Sequence, residues 1–162
     1  MFFVRTATER DLPAISKLLS ETSHATYDAL YGAEKIAEMT AKWHSVPALK
    51  ANLARKKSEF LVADSGKTIG GMAYAAMSET LHETAVLHQL YVLPAYQRQG
   101  IGRDLFAELE TCFPYAGHMR LEVEENNAKA IAFYQAHGFS AQGAGAPHWG
   151  IATLVMDKPL VA

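Results

Sequence analysis

Residues 87–106, "LHQLYVLPAYQRQGIGRDLF", are the stretch from which the fold can be worked out. The segment begins with apolar and aromatic residues that are typical of a strand, and this strand stops near Pro94. After Ile101 the apolar residues recur at helical spacing, which predicts a helix. A basic loop with two glycines therefore joins a strand to a helix, and the chemistry of that junction needs an explanation.

The junction has the composition of an anion-binding loop. The first N–H groups of a helix lack partners within the helix and carry a partial positive charge. Gly100 and Gly102 allow the backbone to approach a ligand without an intervening Cβ. Arg98 and Arg103 flank the same point and add charges that suit phosphate oxygens. We therefore predict a site for a phosphate-bearing ligand; the alternative is a solvated glycine turn.

Outside this junction, the pattern of strands and helices predicts a mixed sheet with helices packed on it. The predicted order is β-α-α-(α)-β-β-β-α-β-α-β-β. Asp11 is the predicted N-cap of the first helix, and residues 24–57 are predicted to be mostly helical. Strands are predicted at 2–7, 59–64, 67–78, 84–93, 119–124, 138–143 and 151–160, and helices at 8–21, 32–44, 47–57, 101–113 and 127–137.

Length and composition exclude several classes of protein. The 162 residues predict a single domain over 1–162, and a net charge of −2 argues against nucleic-acid binding through a basic surface. The single cysteine, Cys112, cannot form an internal disulfide and fits a reducing compartment. Because we find neither a signal-peptide pattern nor an apolar run of membrane-spanning length, we expect a cytoplasmic protein without a membrane partner. The histidines lack ligand spacing, so no metal site is expected.

Two segments resemble the signatures of the GNAT superfamily of N-acetyltransferases. "LYVLPAYQRQGIG", residues 90–102, is similar to its acetyl-CoA-binding signature, Gln/Arg-x-x-Gly-x-Gly/Ala. "NNAKAIAFYQAHGF", residues 126–139, resembles its Asn-x-x-Ala-x-x-x-Tyr…Gly-Phe segment. The resemblance covers most of residues 59–158. It implies an α/β (α+β) fold with a mixed, mostly antiparallel sheet of about seven strands, which includes a splayed parallel pair and is flanked by helices.

The resemblance also implies acetyl-CoA as cosubstrate and assigns residues to it. The pantetheine arm would bond the backbone of one strand, while the pyrophosphate would lie on the basic loop. Asn127 would contact the arm, although the residue also suits a helix N-cap. Tyr134 would lie near the sulfur and protonate the leaving thiolate; the alternative is a core aromatic. The remaining cofactor-binding residues are Leu90, Tyr91 and Val92 on the strand and Arg98, Gln99, Gly100, Ile101, Gly102 and Arg103 on the loop.

The general base is where this chain departs from the commoner family pattern. Many members carry glutamate two residues before the leucine of "LYV", but here the position is His88. A histidine with a pKa near ~6.5 is a competent base at neutral pH. The alternative is a histidine wedged in a buried strand, with Glu79, Glu122 or Glu124 acting as the base or binding the acceptor.

We expect the acceptor to be a primary amine of a small molecule. "SHATYDALYG", residues 23–32, resembles GNATs that acetylate polyamines and related small amines. Residues 24–58 would form one wall of the acceptor site. The alternatives are a protein N-terminal or lysine acetyltransferase, and an acyl-CoA sensor without turnover; the family often forms homodimers. The candidate acceptor-site residues are Tyr27, Tyr31, Trp43, His44, His148 and Trp149.

Overall fold

The computed structural model describes residues 1–147 and 149–160, and within these ranges the predicted order of elements is confirmed. Seven strands form one mixed sheet in the order β1-β2-β3-β4-β5-β7-β6, flanked by five α-helices. The strands are β1 Phe3–Thr6, β2 Ser58–Asp64, β3 Ile69–Met77, β4 Thr84–Val92, β5 His118–Glu124, β6 Ser140–Ala144 and β7 Thr153–Pro159. The helices are α1 Leu12–Tyr31, α2 Ala33–Trp43, α3 Val46–Ala54, α4 Ile101–Thr111 and α5 Ala128–Ala136.

The chain divides into two compact units, which are described separately. Unit 1 consists of Met1–Ala75 and Gln89–Cys112. Unit 2 consists of Ala76–His88 and the chain from Phe113 onwards. The strands β3 and β4 each pass from one unit to the other.

In unit 1, helix α4 packs very closely on β3. A Cβ at Gly71 would lie 2.9 Å from Cγ2 of Ile101 and 3.1 Å from Cδ1 of Leu105, so only glycine allows this approach. Ile101 and Leu105 are buried, as the helical spacing predicts. The start of α4 is therefore anchored by apolar packing, and the loop before it is carried on a fixed base.

The beginning of α1 differs from the prediction. Asp11 stands at the N-cap position of α1 but makes no side-chain bond to that helix. Its carboxylate instead accepts hydrogen bonds from the N–H of Thr8 at 2.7 Å and from both terminal nitrogens of Arg5 at 2.8 Å. The hydrogen bonds from Arg5 lower the pKa of Asp11 to about 2. Asp11 therefore forms an ion pair with Arg5 and does not cap α1, because β1 brings this arginine within reach.

The helical segment 24–57 contains two breaks. Helix α1 continues to Tyr31, beyond its predicted end, and stops at Gly32, whose φ of 88° suits glycine. Helix α2 ends at Trp43 with His44 as its C-cap, and α3 begins where Oγ of Ser45 accepts a hydrogen bond from the N–H of Ala48 at 3.3 Å. The cap fixes the turn that contains His44.

In unit 2, the parallel pairing of β4 with β5 is short. It runs from Thr84↔His118 to Leu87↔Leu121. Both strands continue beyond this point, and β5 pairs with β7 along its whole length. The predicted splayed parallel pair is confirmed. The helices described here include none that is long and apolar enough to cross a membrane.

Candidate active site

The basic loop of unit 1 contains two residues with a left-handed backbone conformation. Arg98 and Gly100 both have positive φ values, 66° and 85°. A left-handed conformation is costly for arginine, and left-handed residues are a feature of loops whose N–H groups bind anions. Nε2 of Gln97 donates to the carbonyl of Val92 at 3.0 Å, which ties the loop to the end of β4. The turn is therefore held in place at its beginning.

The other end of the loop is the first turn of α4. Gly100 is the N-cap, and a Cβ there would lie 2.8 Å from Nη2 of Arg103, so the guanidinium lies beside this glycine. Ile101 is buried and anchors the helix, whereas Gly102 is partly exposed in the first turn. Among the remaining loop residues, Arg98 and Gln99 are exposed. The guanidinium of Arg103 and the first turn of α4 therefore lie together at this helix start, which is compatible with the predicted anion site.

Strand β4 supplies the predicted pantetheine-binding segment. Leu90, Tyr91 and Val92 are all half-buried. The ring of Tyr91 makes an edge contact with the imidazole of His44, with ring centroids 6.1 Å apart. The turn after α2 thus packs against this strand in unit 1.

In unit 2, Asn127 and Tyr134 are both on α5. Oδ1 of Asn127 accepts a hydrogen bond from the N–H of Ala130 at 3.2 Å, which confirms the N-cap alternative. Tyr134 is 9% exposed, and its ring makes edge contacts with Phe133 and Phe139 at 5.5 and 5.6 Å. The phenol is therefore carried by a ring that neighbouring aromatics orient, and packing and a chemical role are compatible.

His88 is exposed, and the alternative of a histidine wedged in a buried strand is wrong. It directly follows Leu87, the last residue of β4 that pairs with β5. A side chain at the point where the pairing ends is accessible to solvent and to a ligand. The position is compatible with a base.

The three candidate carboxylates have different environments. Glu124 is buried, and both of its oxygens accept hydrogen bonds from Asn126, at 2.8 Å from the backbone N–H and 3.0 Å from Nδ2. This carboxylate stabilises the turn into α5. Glu122 accepts a hydrogen bond from Oγ1 of Thr153 at 2.7 Å, while Glu79 is exposed in a loop. Glu122 and Glu79 are the more accessible of the three.

The aromatic residues proposed for the acceptor wall are distributed over α1 and α2 of unit 1. The ring centroids of Tyr27 and Tyr31 lie 6.3 Å apart, and Nζ of Lys35 lies 5.4 Å from the Tyr31 ring centroid. Nζ of Lys42 lies 5.7 Å from the Trp43 ring centroid. Trp149 is exposed in unit 2, and His148 lies outside the described residues. The rings of Tyr31 and Trp43 thus already lie near cationic groups of the chain itself.

One polar residue of the site region was missed at the sequence level. Oε1 of Gln89 is buried in β4 and has no hydrogen-bond partner in the described part of the chain. The available signal was a pair of polar residues, His88 and Gln89, inside an otherwise apolar strand. That signal did not distinguish an exposed side chain from a buried one.

Comparison with known proteins identifies the class. The family model described as "Acetyltransferase (GNAT) domain" matches residues 27–160. The N-alpha-acetyltransferase RimI of Mycobacterium tuberculosis is 32% identical over 136 residues, which cover 78% of this chain and 85% of that protein. The chain therefore belongs to the GNAT family and is an acetyl-CoA-dependent N-acetyltransferase.

Two further matches come from Thermoplasma acidophilum. Its spermidine N(1)-acetyltransferase is 26% identical over 145 residues, which cover 86% of this chain and 88% of that protein. The crystal structure of its PaiA N-acetyltransferase in complex with coenzyme A superposes with a TM-score of 0.86 at 24% identity. That match covers 98% of this chain and 99% of the other, and it establishes a common fold.

Proposed function

We propose that the chain transfers the acetyl group of acetyl-CoA to a primary amine of a small molecule, with a polyamine such as spermidine as the first candidate. The observation that carries the proposal is the extent of the spermidine acetyltransferase match, 86% of the chain. A match of this extent cannot omit the whole of residues 24–58, because that segment is more than a fifth of the chain. The similarity thus includes part of the expected acceptor wall.

For the cosubstrate, we propose that the basic loop holds the pyrophosphate. The curved backbone around Gly100 and the guanidinium beside it provide N–H donors and positive charge. The proposal assigns the pantetheine arm to the backbone of Leu90, Tyr91 and Val92, with a further contact from Asn127. The pairing of β4 with β5 ends at Leu87↔Leu121, before this segment, which supports the assignment.

The proposed reaction requires two proton transfers. The ammonium ion first loses one proton to give the free amine. The amine nitrogen then attacks the thioester carbonyl carbon, the C–N bond forms, the C–S bond breaks, and a second proton leaves the nitrogen and replaces the one that the thiolate receives. A lysine-like amine has a pKa of ~10.4, so generating the free base near pH 7 costs about 5 kcal/mol. We assign the acceptance of this proton to His88, directly or through a water molecule, because its side chain is exposed.

The leaving thiolate needs the second proton, which we assign to Tyr134. A thiol has a pKa near ~8.5 and a phenol near ~10, so the transfer is uphill by only about 2 kcal/mol. The aromatic contacts of the Tyr134 ring support this role, because they restrict the orientation of the hydroxyl group.

A second candidate acceptor is the N-terminal amine of a protein. The 32% identity to RimI favours it, as does the 34% identity to the Escherichia coli bS18-alanine N-acetyltransferase over 60% of this chain. The reacting group is again a primary amine. The chemistry above is unchanged, and the two candidates differ in what surrounds the amine.

The decisive experiment is a panel of acceptors with detection of the released thiol. The panel contains spermidine, a simple alkyl monoamine, a peptide with N-terminal alanine, and an Nα-blocked peptide with one lysine. We expect the highest kcat/KM with spermidine. A kcat/KM at least tenfold higher with either peptide would replace the small-molecule proposal with the corresponding protein acceptor.

A further inference from the structure

We propose that His44 and Gln89 hold the acceptor amine by accepting hydrogen bonds from its N–H groups. The inference rests on the proposed function, because it assigns the acceptor of that reaction to side chains of unit 1. Neither residue is a base or an acid in this assignment. Both are specificity-determining residues that contact the amine.

The first observation is that two buried polar atoms lack partners. In the part of the chain that the structure describes, Nδ1 of His44 and Oε1 of Gln89 have no hydrogen-bond partner. Buried polar atoms are nearly always paired, because leaving one unpaired reduces the stability of the fold. Two such atoms in one unit are candidate acceptors for donors that a bound molecule brings.

The second observation places the two side chains on one side of β4. The ring of His44 contacts the ring of Tyr91 edge-on. Gln89 is two residues before Tyr91 on the same strand, and residues two apart in a strand point to the same face. Gln89 therefore faces the same side of β4 as Tyr91, whose ring His44 contacts, in the segment to which the cosubstrate arm is assigned.

The third observation is that the backbone at His44 is anchored. Its N–H donates to the carbonyl of Thr40 at 2.9 Å, and its carbonyl accepts from Oγ of Ser16 at 2.6 Å. The neighbouring Ser45 caps α3. These bonds from three directions fix the point from which the imidazole projects, as a recognition group requires.

The chemistry of the two atoms fits an amine. Burial lowers the pKa of His44 to about 4, so at neutral pH the imidazole is uncharged and does not repel a cation. A group with so low a pKa cannot remove a proton from an ammonium ion, which leaves an orienting role. An amine held by its N–H groups on two acceptors can direct its lone pair towards the thioester carbonyl.

The test uses the full-length protein with acetyl-CoA at saturation and the acceptor varied. His44→Phe and Gln89→Met remove the acceptor atoms while keeping apolar bulk, and His82→Phe is the matched control because the side chain of His82 is 91% exposed. We expect each of the first two variants to lower kcat/KM for the amine by about 10- to 100-fold. The KM for acetyl-CoA and the Tm shift that acetyl-CoA produces should not change. The control should behave as wild type.

The double variant should lose less than the product of the two single losses, because both side chains bind one group. If the wild-type enzyme acetylates a peptide and no small amine, the small-molecule proposal fails, and the same variants are then assayed with that peptide. Unchanged kcat/KM for the accepted amine in both single variants would overturn the inference, as would losses confined to the KM for acetyl-CoA. If His44→Phe does not fold, His44→Leu and Gln89→Met decide the question.

Discussion

The loop at residues 97–103 and the helical segment 24–58 are the two regions to which we assign ligands, and they differ in construction. The loop is characterised by its backbone: a left-handed arginine and a left-handed glycine directly precede the first turn of a helix, the arrangement that suits an anion. The segment relies on side chains such as His44, whose Nδ1 is buried without a partner among the described residues. A site made of backbone suits a ligand that is always the same. A site made of side chains can change with the acceptor.

The largest expected effect separates catalysis from binding. Tyr134→Phe removes the proposed proton donor and should lower kcat by about 10²- to 10⁴-fold, with little change in acetyl-CoA affinity. Steady-state kinetics and thermal shift with acetyl-CoA measure the two quantities. Tyr115→Phe is the matched control, because Tyr115 is 87% exposed. Wild-type turnover in Tyr134→Phe would limit this tyrosine to packing.

The next effect concerns His88. If its imidazole accepts the amine proton, kcat/KM should rise with pH through an apparent pKa near that of an exposed histidine, ~6.5. His88→Ala should flatten this limb and lower the rate about 100-fold, and His88→Glu should restore part of it. The pH profile of kcat/KM is the measurement. An unchanged profile in His88→Ala would transfer the role to Glu79, Glu122 or water.

A substitution in the loop, unlike Tyr134→Phe and His88→Ala, should lower the affinity for acetyl-CoA and leave the fold intact. Gly102→Ala places a methyl group in the first turn of α4, where alanine favours the helix by up to about 1 kcal/mol. Acetyl-CoA binding should nevertheless weaken by about 10- to 100-fold, because the methyl group blocks the approach of the pyrophosphate. Calorimetric titration measures the affinity, and chemical denaturation measures the stability. A normal affinity of Gly102→Ala for acetyl-CoA would argue against a site formed by the backbone N–H groups of this loop.

Arg98→Ala tests the charge at the same loop. It should weaken acetyl-CoA binding by roughly tenfold and make the remaining binding less sensitive to salt. Arg55→Ala, a change at another exposed arginine, is the control. Equal losses in both variants would mean that general charge, and not the loop, attracts the cosubstrate.

The smallest effect is on stability and concerns His44. Its pKa in the folded protein is lowered to about 4, below the value of ~6.5 expected in the unfolded chain. As pH falls from 7 to 5 the unfolded state gains this proton and the folded state does not, so the free energy of unfolding should drop by up to about 2 kcal/mol. His44→Phe should remove this part of the decrease. Urea unfolding at pH 7 and pH 5 measures this decrease in His44→Phe and in the control His82→Phe. An equal decrease in the free energy of unfolding in both variants would contradict the burial effect.

Local signals explain why much of the fold was predictable. The apolar spacing of α4 predicts its buried face, and Ile101 and Leu105 are buried. The two family signatures, confirmed by the family model over residues 27–160, led to the acetyltransferase class. Each of these signals lies within a dozen or so neighbouring residues, where periodicity and turn chemistry act. The assignments of individual residues to the reaction stay proposals until the variants are measured.

The sequence by itself determined the order of the elements, the glycine-containing basic loop at the start of α4, and the class of enzyme. Only the tertiary structure decided that His88 is exposed, that Glu124 stabilises a turn, and that Asp11 pairs with Arg5. It also decided that Nδ1 of His44 and Oε1 of Gln89 are buried in unit 1 without a hydrogen-bond partner in the described chain. The reason is physical. Helix and turn formation depend on neighbouring residues, whereas burial and the choice of a hydrogen-bond partner depend on segments far away in the chain, such as the one that carries Tyr91 to His44.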